Sequence, residues 1–408
     1  MTKSQRVIDK YLQQYAESEV SLLDSLSPGH AYQQVIVIPA YKESDAFVHR
    51  FFASRLSQTR TLLIVVVNQP QTDTNQQSQE LLYQQCLQLG KITFRNDNIS
   101  LVNVRANNSD VLLIDRFNKP ISDKHGVGLA RKIGCDLAVS LINQGLITSR
   151  FIHSTDADAS LPDNYFDGAH HAGKQVVAIG FEFRHQSNEP LIHQANAIYE
   201  QALRYYVQGL ASAGSRYAFF TIGSTLAFDA VAYCQCRGFP KRSAGEDFYL
   251  LNKLVKLGHY QFAQDIVIHL QARTSDRVPF GTGPAVARIV ELLKQQQDYH
   301  YYHPEVFTAL AEVLSAFSTL YRERERLEAW YQQFPSTIVQ ALTGIGLDKF
   351  VNSQKTTNET QFYKQLHGFF DGFKTLKFIH VLRELAYPDT PLFICNNEKP
   401  PLIGRLIK

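Results

Sequence analysis

Cysteine is scarce in this chain, net charge is close to zero, and no long apolar run stands out. The five cysteines (Cys86, Cys135, Cys234, Cys236 and Cys395) are odd in number and scattered over 408 residues. That excludes the dense disulfide framework of a small secreted domain and points to a reducing compartment. Only Cys234 and Cys236 lie close together, and a Cys-x-Cys pair without a second ligand pair reads as packing rather than as a zinc site. Lys and Arg number 41 against 38 Asp and Glu, a formal net charge of +3, which is not the strongly basic balance of a nucleic-acid binder. The most apolar stretch, 217–234, is interrupted by Asp229 and diluted by Gly223, Ser224 and Thr225, whereas a bilayer span needs about 20 mostly apolar residues. No transmembrane helix is expected; the composition leaves room for peripheral membrane contact. Residues 1–24 are polar, read as helical and lack the apolar core of a signal peptide, so a cytoplasmic location is expected. There is no internal repeat and no long low-complexity segment.

What is present is ordinary globular material, 44% hydrophobic and 19% charged, arranged with a clear alternation. Val35-Ile-Val-Ile38, stopped by Pro39, and Leu62-Leu-Ile-Val-Val-Val67, stopped by Asn68-Gln-Pro70, are apolar, rich in β-branched residues and bounded by turn formers. They read as buried parallel strands, with crossover helices over 45–61 and 74–89. Further strands are expected at 99–105, 111–114, 151–154 and 176–181, with a helix over 126–142. Strand alternating with helix implies an α/β fold with helices on both faces, whose ligands bind at the carboxyl ends of the strands. From about Pro284 the period changes to that of helices. Val306, Phe307, Leu310, Val313, Leu314 and Phe317 form one apolar stripe and Phe362, Leu366, Phe369, Phe370 and Phe373 another, both read as packing faces. The expected organisation is an N-terminal helical extension over 1–30, an α/β domain over 31–283 and a helical C-terminal region over 284–408.

Three segments carry chemistry. In His153-Ser-Thr-Asp-Ala-Asp158, two carboxylates one residue apart sit where a buried strand ends. A hard divalent cation takes a few carboxylate oxygens and fills its shell from phosphates and water, so the pair suits a metal that neutralises a leaving diphosphate. An Asx-rich turn capping a following helix at Leu161-Pro162 explains it as well. In Gly245-Glu-Asp247, a carboxylate pair opens an apolar-periodic helix, where the macrodipole favours ionised acids. Asp247 could accept a proton there; simple capping is the alternative. In Lys124-His-Gly-Val-Gly-Leu-Ala-Arg131, glycines precede a helix bearing Arg131 and Lys132, an arrangement suited to anions, although the glycine spacing is not that of a dinucleotide fingerprint.

Taken in order, these segments resemble the family 2 type of GT-A glycosyltransferase. The resemblance runs over about 34–283: Val35–Glu43 is similar to the opening nucleotide-binding segment, Lys124–Gly134 to a Gly-x-Ala-Arg-Asn-x-Gly segment with Lys132 in place of Asn, Asp156–Asp158 to the metal motif, 223–240 to the acceptor-side segment, and Ala244–Asp247 to the Glu-Asp motif. It implies a GT-A (nucleotide-diphospho-sugar transferase) fold, a mixed, mainly parallel sheet flanked by helices. It also implies roles. Pro39, Ala40, Tyr41, Glu43 and Asn68 would contact the nucleotide, and Lys124 and Arg131 would lie near the nucleotide or diphosphate. Asp158 would ligate Mn or Mg, with Asp156 on the metal or the ribose. Asp247 would be the general base for inverting transfer, with Glu246 orienting the acceptor.

His269, at the end of Ile266-Val-Ile-His269, resembles a late-strand metal ligand of some GT-A enzymes, and equally reads as a core histidine. Residues 273–283, with Arg273 and Arg277 for a diphosphate and glycines for movement, read as a lid or as a solvated connection. The run at 111–114 with its Lys119-Pro120 break reads as an inserted hairpin. His170-His171 and the 299–303 cluster read as surface or packing residues. The expectation is therefore a metal-dependent enzyme moving a sugar from a nucleotide diphosphate to an acceptor hydroxyl. Arg237, Lys241 and Arg242 hint at an anionic acceptor. A sugar nucleotidyltransferase is the alternative enzyme, although its Gly-rich loop after the first strand is missing. A nucleotide-binding scaffold without turnover is the non-enzymatic alternative.

Overall fold

In the computed structural model the described residues are 2–27, 29–104, 107–272 and 281–392. They divide into two compact units, one formed by 1–193 with 221–286 and the other by 194–220 with the residues from 287 on.

The first unit is built on a ten-stranded mixed sheet. In chain order its strands are β1 (Gln34–Ala40), β2 (Thr61–Pro70), β3 (Gly90–Asn96), β4 (Ile99–Val104), β5 (Asp110–Ile121), β6 (Phe151–Ser154), β7 (Ala159–Ser160), β8 (Val176–Gln186), β9 (Leu226–Asp229) and β10 (His259–Gln271). Their order across the sheet is β3-β4-β5-β2-β1-β6-β9-β8-β10-β7. The three longest ladders, β8 with β10, β2 with β5 and β1 with β2, are parallel. β1 and β2 sit at the centre with almost every residue buried, which is why they read as unbroken apolar runs rather than as alternating ones. The inserted hairpin is real: β4 and β5, which holds 111–114, pair antiparallel, and a further hairpin extends it. β3 and β4 form that extension at the sheet edge, turning at Asp97, which adopts a left-handed φ of 46°. The run 111–114 in β5 also pairs in parallel with β2. The exposed, polar alternation of β3 gave no apolar run to detect.

The helix Gly126–Asn143 packs on β1 and β2. Gly134 allows this close approach, since a Cβ there would lie 2.4 Å from Val37 Cγ1. The helix Lys3–Gln14 packs against helix Gly126–Asn143 and against the short helix Ala230–Gln235. Covered on two sides, helix Gly126–Asn143 is buried from Gly128 to Leu141 without a break. The charged residues in that stretch must therefore find partners inside the protein.

The second unit is helical, with a core that is almost wholly apolar and aromatic. Both sequence stripes face it: Val306, Phe307, Leu310, Val313 and Phe317 from helix Glu305–Glu323, and Phe362, Leu366 and Phe370 from and just after helix Glu359–Phe369, are buried together with Trp330 and Phe378. Tyr301 and Tyr302 of the 299–303 cluster pack with Tyr205, Tyr206 and Phe307. Among the described residues no helix is long and apolar enough to cross a membrane.

Candidate active site

The site is assembled at the ends of three neighbouring strands. Pro39 and Ala40 close β1, buried, and the chain then turns at Lys42 with φ 54°, a left-handed conformation uncommon outside glycine. Tyr41 Oη donates to Asp73 Oδ2 at 2.6 Å and Lys42 Nζ lies 2.9 Å from the same oxygen. The Tyr41 hydroxyl, then the Asn75 N–H and Lys42, hold the Asp73 carboxyl down to about 2. Asp73 was not singled out in the sequence; it ties the turn after β1 to the turn after β2. Asn68 is buried in β2 with its Oδ1 lacking a hydrogen-bond partner among the described residues. Glu43 is half-buried beyond the β1 turn.

After β6 the backbone continues along β1, Thr155 N donating to Val37 O at 3.1 Å. Ala159 N donates to Asp156 O, closing a turn around Asp156–Asp158. Arg50, another residue with no sequence signal, holds the turn from outside through hydrogen bonds of 3.0 Å to the carbonyls of Ala157 and Ala159. The turn does not cap a helix at Leu161. It leads into β7, which pairs antiparallel with β10 so that His269 stands opposite Ser160, and Gln271 N donates to Asp158 O at 3.1 Å. His269 thereby comes to the strand beside the two aspartates, with a buried Nδ1 that has no hydrogen-bond partner among the described residues. An unpartnered imidazole nitrogen beside two carboxylate-bearing positions is donor chemistry that fits a divalent cation. No three His, Cys, Asp or Glu side chains among the described residues form a ready-made metal group, so oxygen donors from a bound diphosphate and water would have to complete the shell.

Arg131 organises the centre. It is 3% exposed. Its Nε donates to Glu246 Oε1 at 2.9 Å, Nη1 to Ser154 Oγ at 3.0 Å, and Nη2 to Asp156 Oδ1 at 2.6 Å. One rigid guanidinium fork thus joins the strand-end turn to the first residue of helix Glu246–Leu254. The resemblance placed Arg131 near the nucleotide or diphosphate; in the structure the protein's own acceptors engage it from two segments, 154–156 and the helix start at Glu246. Gly223 makes the room, because a Cβ there would lie 2.8 Å from Arg131 Nη2. Thr155 Oγ1 donates to the Ser224 carbonyl at 2.8 Å, binding the same segment to the turn.

Asp247 follows Glu246 at the helix start, after Gly245 in a left-handed conformation. Phe248 N donates to Asp247 Oδ1 at 2.7 Å. Burial and then the Glu246 charge push the Asp247 carboxyl up to about 7, against the pull of the Phe248 N–H and of Arg131. Two acids side by side, one clamped by Arg131 and the other with a raised pKa, are what a proton-accepting site near neutral pH requires.

The glycines before Arg131 serve close packing. Gly128 N donates to Arg242 O at 3.0 Å, and a Cβ on Gly126 or Gly128 would meet the backbone of the 240–243 segment at about the same 2.5 Å in each case. Lys124 is exposed in the turn before this helix. Arg273 and Arg277 lie outside the described residues. Cys234 and Cys236 are buried and free, as packing residues.

No protein-family model matches the chain, and no curated protein matches it in sequence. Among solved structures, S. aureus TarS 1–349 in complex with UDP-GlcNAc is similar at 12% identity and a TM-score of 0.41, over 86% of this chain and 91% of that one. GalNAc-T7 with UDP, GalNAc and Mn2+ is similar at 12% identity and a TM-score of 0.37, over 65% of this chain and 48% of that one.

Proposed function

We propose that this chain is a metal-dependent glycosyltransferase of the GT-A kind, moving a sugar from a nucleotide-diphosphate donor to an acceptor hydroxyl with inversion. The observation that carries the reading is the Arg131 fork, which gathers Asp156 and Glu246, 90 residues apart in sequence, onto one guanidinium at the strand ends. In this reading the nucleotide lies along the ends of β1 and β2, over Pro39, Ala40, Tyr41, Glu43 and Asn68, with Lys124 toward its phosphates. Asp158, Asp156 and His269 would hold Mn or Mg, which when bound neutralises charge on the leaving diphosphate. Asp247 takes the proton of the acceptor hydroxyl as that oxygen attacks the anomeric carbon from the face opposite the diphosphate, and Glu246 holds the acceptor's orientation. Four buried, free cysteines suit a reducing, cytoplasmic setting.

The test is a thermal-shift screen of nucleoside diphosphates and their sugars with and without Mn2+, followed by turnover of whichever donor stabilises the protein. Release of sugar is expected to depend on the metal. Asp247→Asn should lower turnover by about 10²–10⁴-fold, the usual contribution of a general base. Intact turnover in both Asp247→Asn and Asp158→Ala refutes the assignment.

A further inference from the structure

Ten irregular residues, 236–245, lead from helix Ala230–Gln235 to the Glu246-Asp247 pair. Three of them are left-handed: Arg237 (φ 63°), Gly238 (71°) and Gly245 (71°). For Arg237 this conformation opposes the intrinsic preference of an L-residue by roughly 1–2 kcal/mol, and an irregular segment keeps one shape only where its surroundings fix it. Much of the fixing comes from the first seventeen residues of the chain. Tyr11 is buried, donates to Asp136 Oδ1 at 2.5 Å and accepts from Lys132 Nζ at 2.7 Å. Its hydroxyl lies directly on Gly238, where a Cβ would come within 2.3 Å of it. The Tyr15 ring stands 4.8 Å from the Arg237 guanidinium. Glu17 pairs with Lys241 at 2.8 Å while its own N–H donates to Asp136 Oδ2 at 2.9 Å. From the other side Gly128 N holds the Arg242 carbonyl.

We infer that the N-terminal segment is part of the working site: Tyr11, Tyr15 and Glu17 are positioning residues that hold the 236–245 loop and, through it, set Asp247. The inference rests on the proposed function for Asp247's role, but not for the physical coupling. The segment touches neither the β1 and β2 ends nor the Asp156–Asp158 turn through any of these contacts, so its effect falls on the proton acceptor and not on donor binding.

Tyr11→Phe, Tyr15→Ala and Glu17→Gln test this. Glu17→Gln alters a partly exposed pair, so it keeps the test alive if Tyr11→Phe does not fold. Amide hydrogen exchange at 237–246 should speed up about tenfold, while amides of β1 and β2 keep their protection. Hydrolysis of the nucleotide sugar found by the thermal-shift screen should show kcat reduced about tenfold or more with KM within about twofold, since small misplacement of a reacting group acts on the chemical step. Unchanged exchange in every variant overturns the brace. Faster exchange with unchanged kcat overturns the link to Asp247. If the wild type turns over no donor, the functional proposal fails by itself, and the exchange result still decides the coupling.

Discussion

Arg131 and Lys132 are consecutive, lie on one helix and are equally buried, at 3% exposed each, yet they serve two unlike clusters. Successive helical residues point about 100° apart, so one cation faces the strand ends and the other faces the N-terminal helix. Around Lys132 the charges balance: Asp136 and Glu17 meet Lys132 and Lys241. The two tyrosine hydroxyls of Tyr11 and Tyr233 fill the remaining acceptor sites of Asp136. Around Arg131 they do not balance. Asp156 and Glu246 bind one guanidinium, and Asp247 stands beside it as a third acid within its field. A balanced buried cluster is complete and acts as structure. A cluster with surplus acid, open to solvent through the 36% exposed Asp156 side chain, is what the proposed metal binding and proton transfer require.

Removing Arg131 should break this contrast most violently. Arg131→Met leaves Asp156 and Glu246 without their shared partner. Turnover should fall about 10²–10³-fold as the two acidic segments lose their mutual placement. Arg131→Lys keeps the charge but not the fork, so it should recover only part of the loss. Donor turnover of Arg131→Met within tenfold of the wild type would show that the surplus acids do not depend on the clamp.

The Lys132 side should respond in stability. Lys132→Met strands a buried Asp136 carboxylate and should cost about 3–5 kcal/mol, whereas Lys132→Met with Asp136→Leu removes both charges and should regain only part of that, because Tyr11, Tyr233 and the Glu17 N–H lose their acceptor. Burial already pushes the Asp136 carboxyl up, with Lys132 the main pull against it. The sole tryptophan, Trp330, belongs to the helical unit, so tryptophan fluorescence follows the wrong unit. Amide exchange of β1 and β2 reports on the right one. A double variant as unstable as the single would mean that charge balance is not what the cluster contributes.

The contrast also marks what the sequence could and could not disclose. β1, β2 and β6 were legible because central strands must be apolar on both faces. Asp156–Asp158 and Glu246-Asp247 were legible because acids at a strand end or a helix start are conspicuous. Arg131 was legible as a cation but not as a clamp, since its partners lie 25 and 115 residues away. Lys132 read as a substitution within a motif, and only the packing of Lys3–Gln14 over it explains a lysine there. β3 escaped because its edge position asks for no apolar alternation. The helix-cap alternative for the first motif's turn stayed open in the sequence because β10, the partner of the strand that follows it, lies more than a hundred residues on.

The smallest effect tests the surplus acid itself. Burial and Glu246 raise Asp247 from 3.8 to about 7, so the folded state holds that proton more tightly than the unfolded chain does. Stability from this group is fully present below about pH 4 and is lost as the pH rises toward 7, the reverse of the usual salt-bridged aspartate. An asparagine never ionises. Asp247→Asn should therefore melt with the wild type at pH 4 and above it at pH 8, by about 2–4 °C for each kcal/mol of relieved repulsion, even as turnover falls. Stability given up to keep a reactive group in place is a known signature of working sites. If the variant instead melts lower than the wild type at pH 8, Asp247 is held as a favourable helix-start carboxylate, and the Arg131 cluster is as complete as its neighbour.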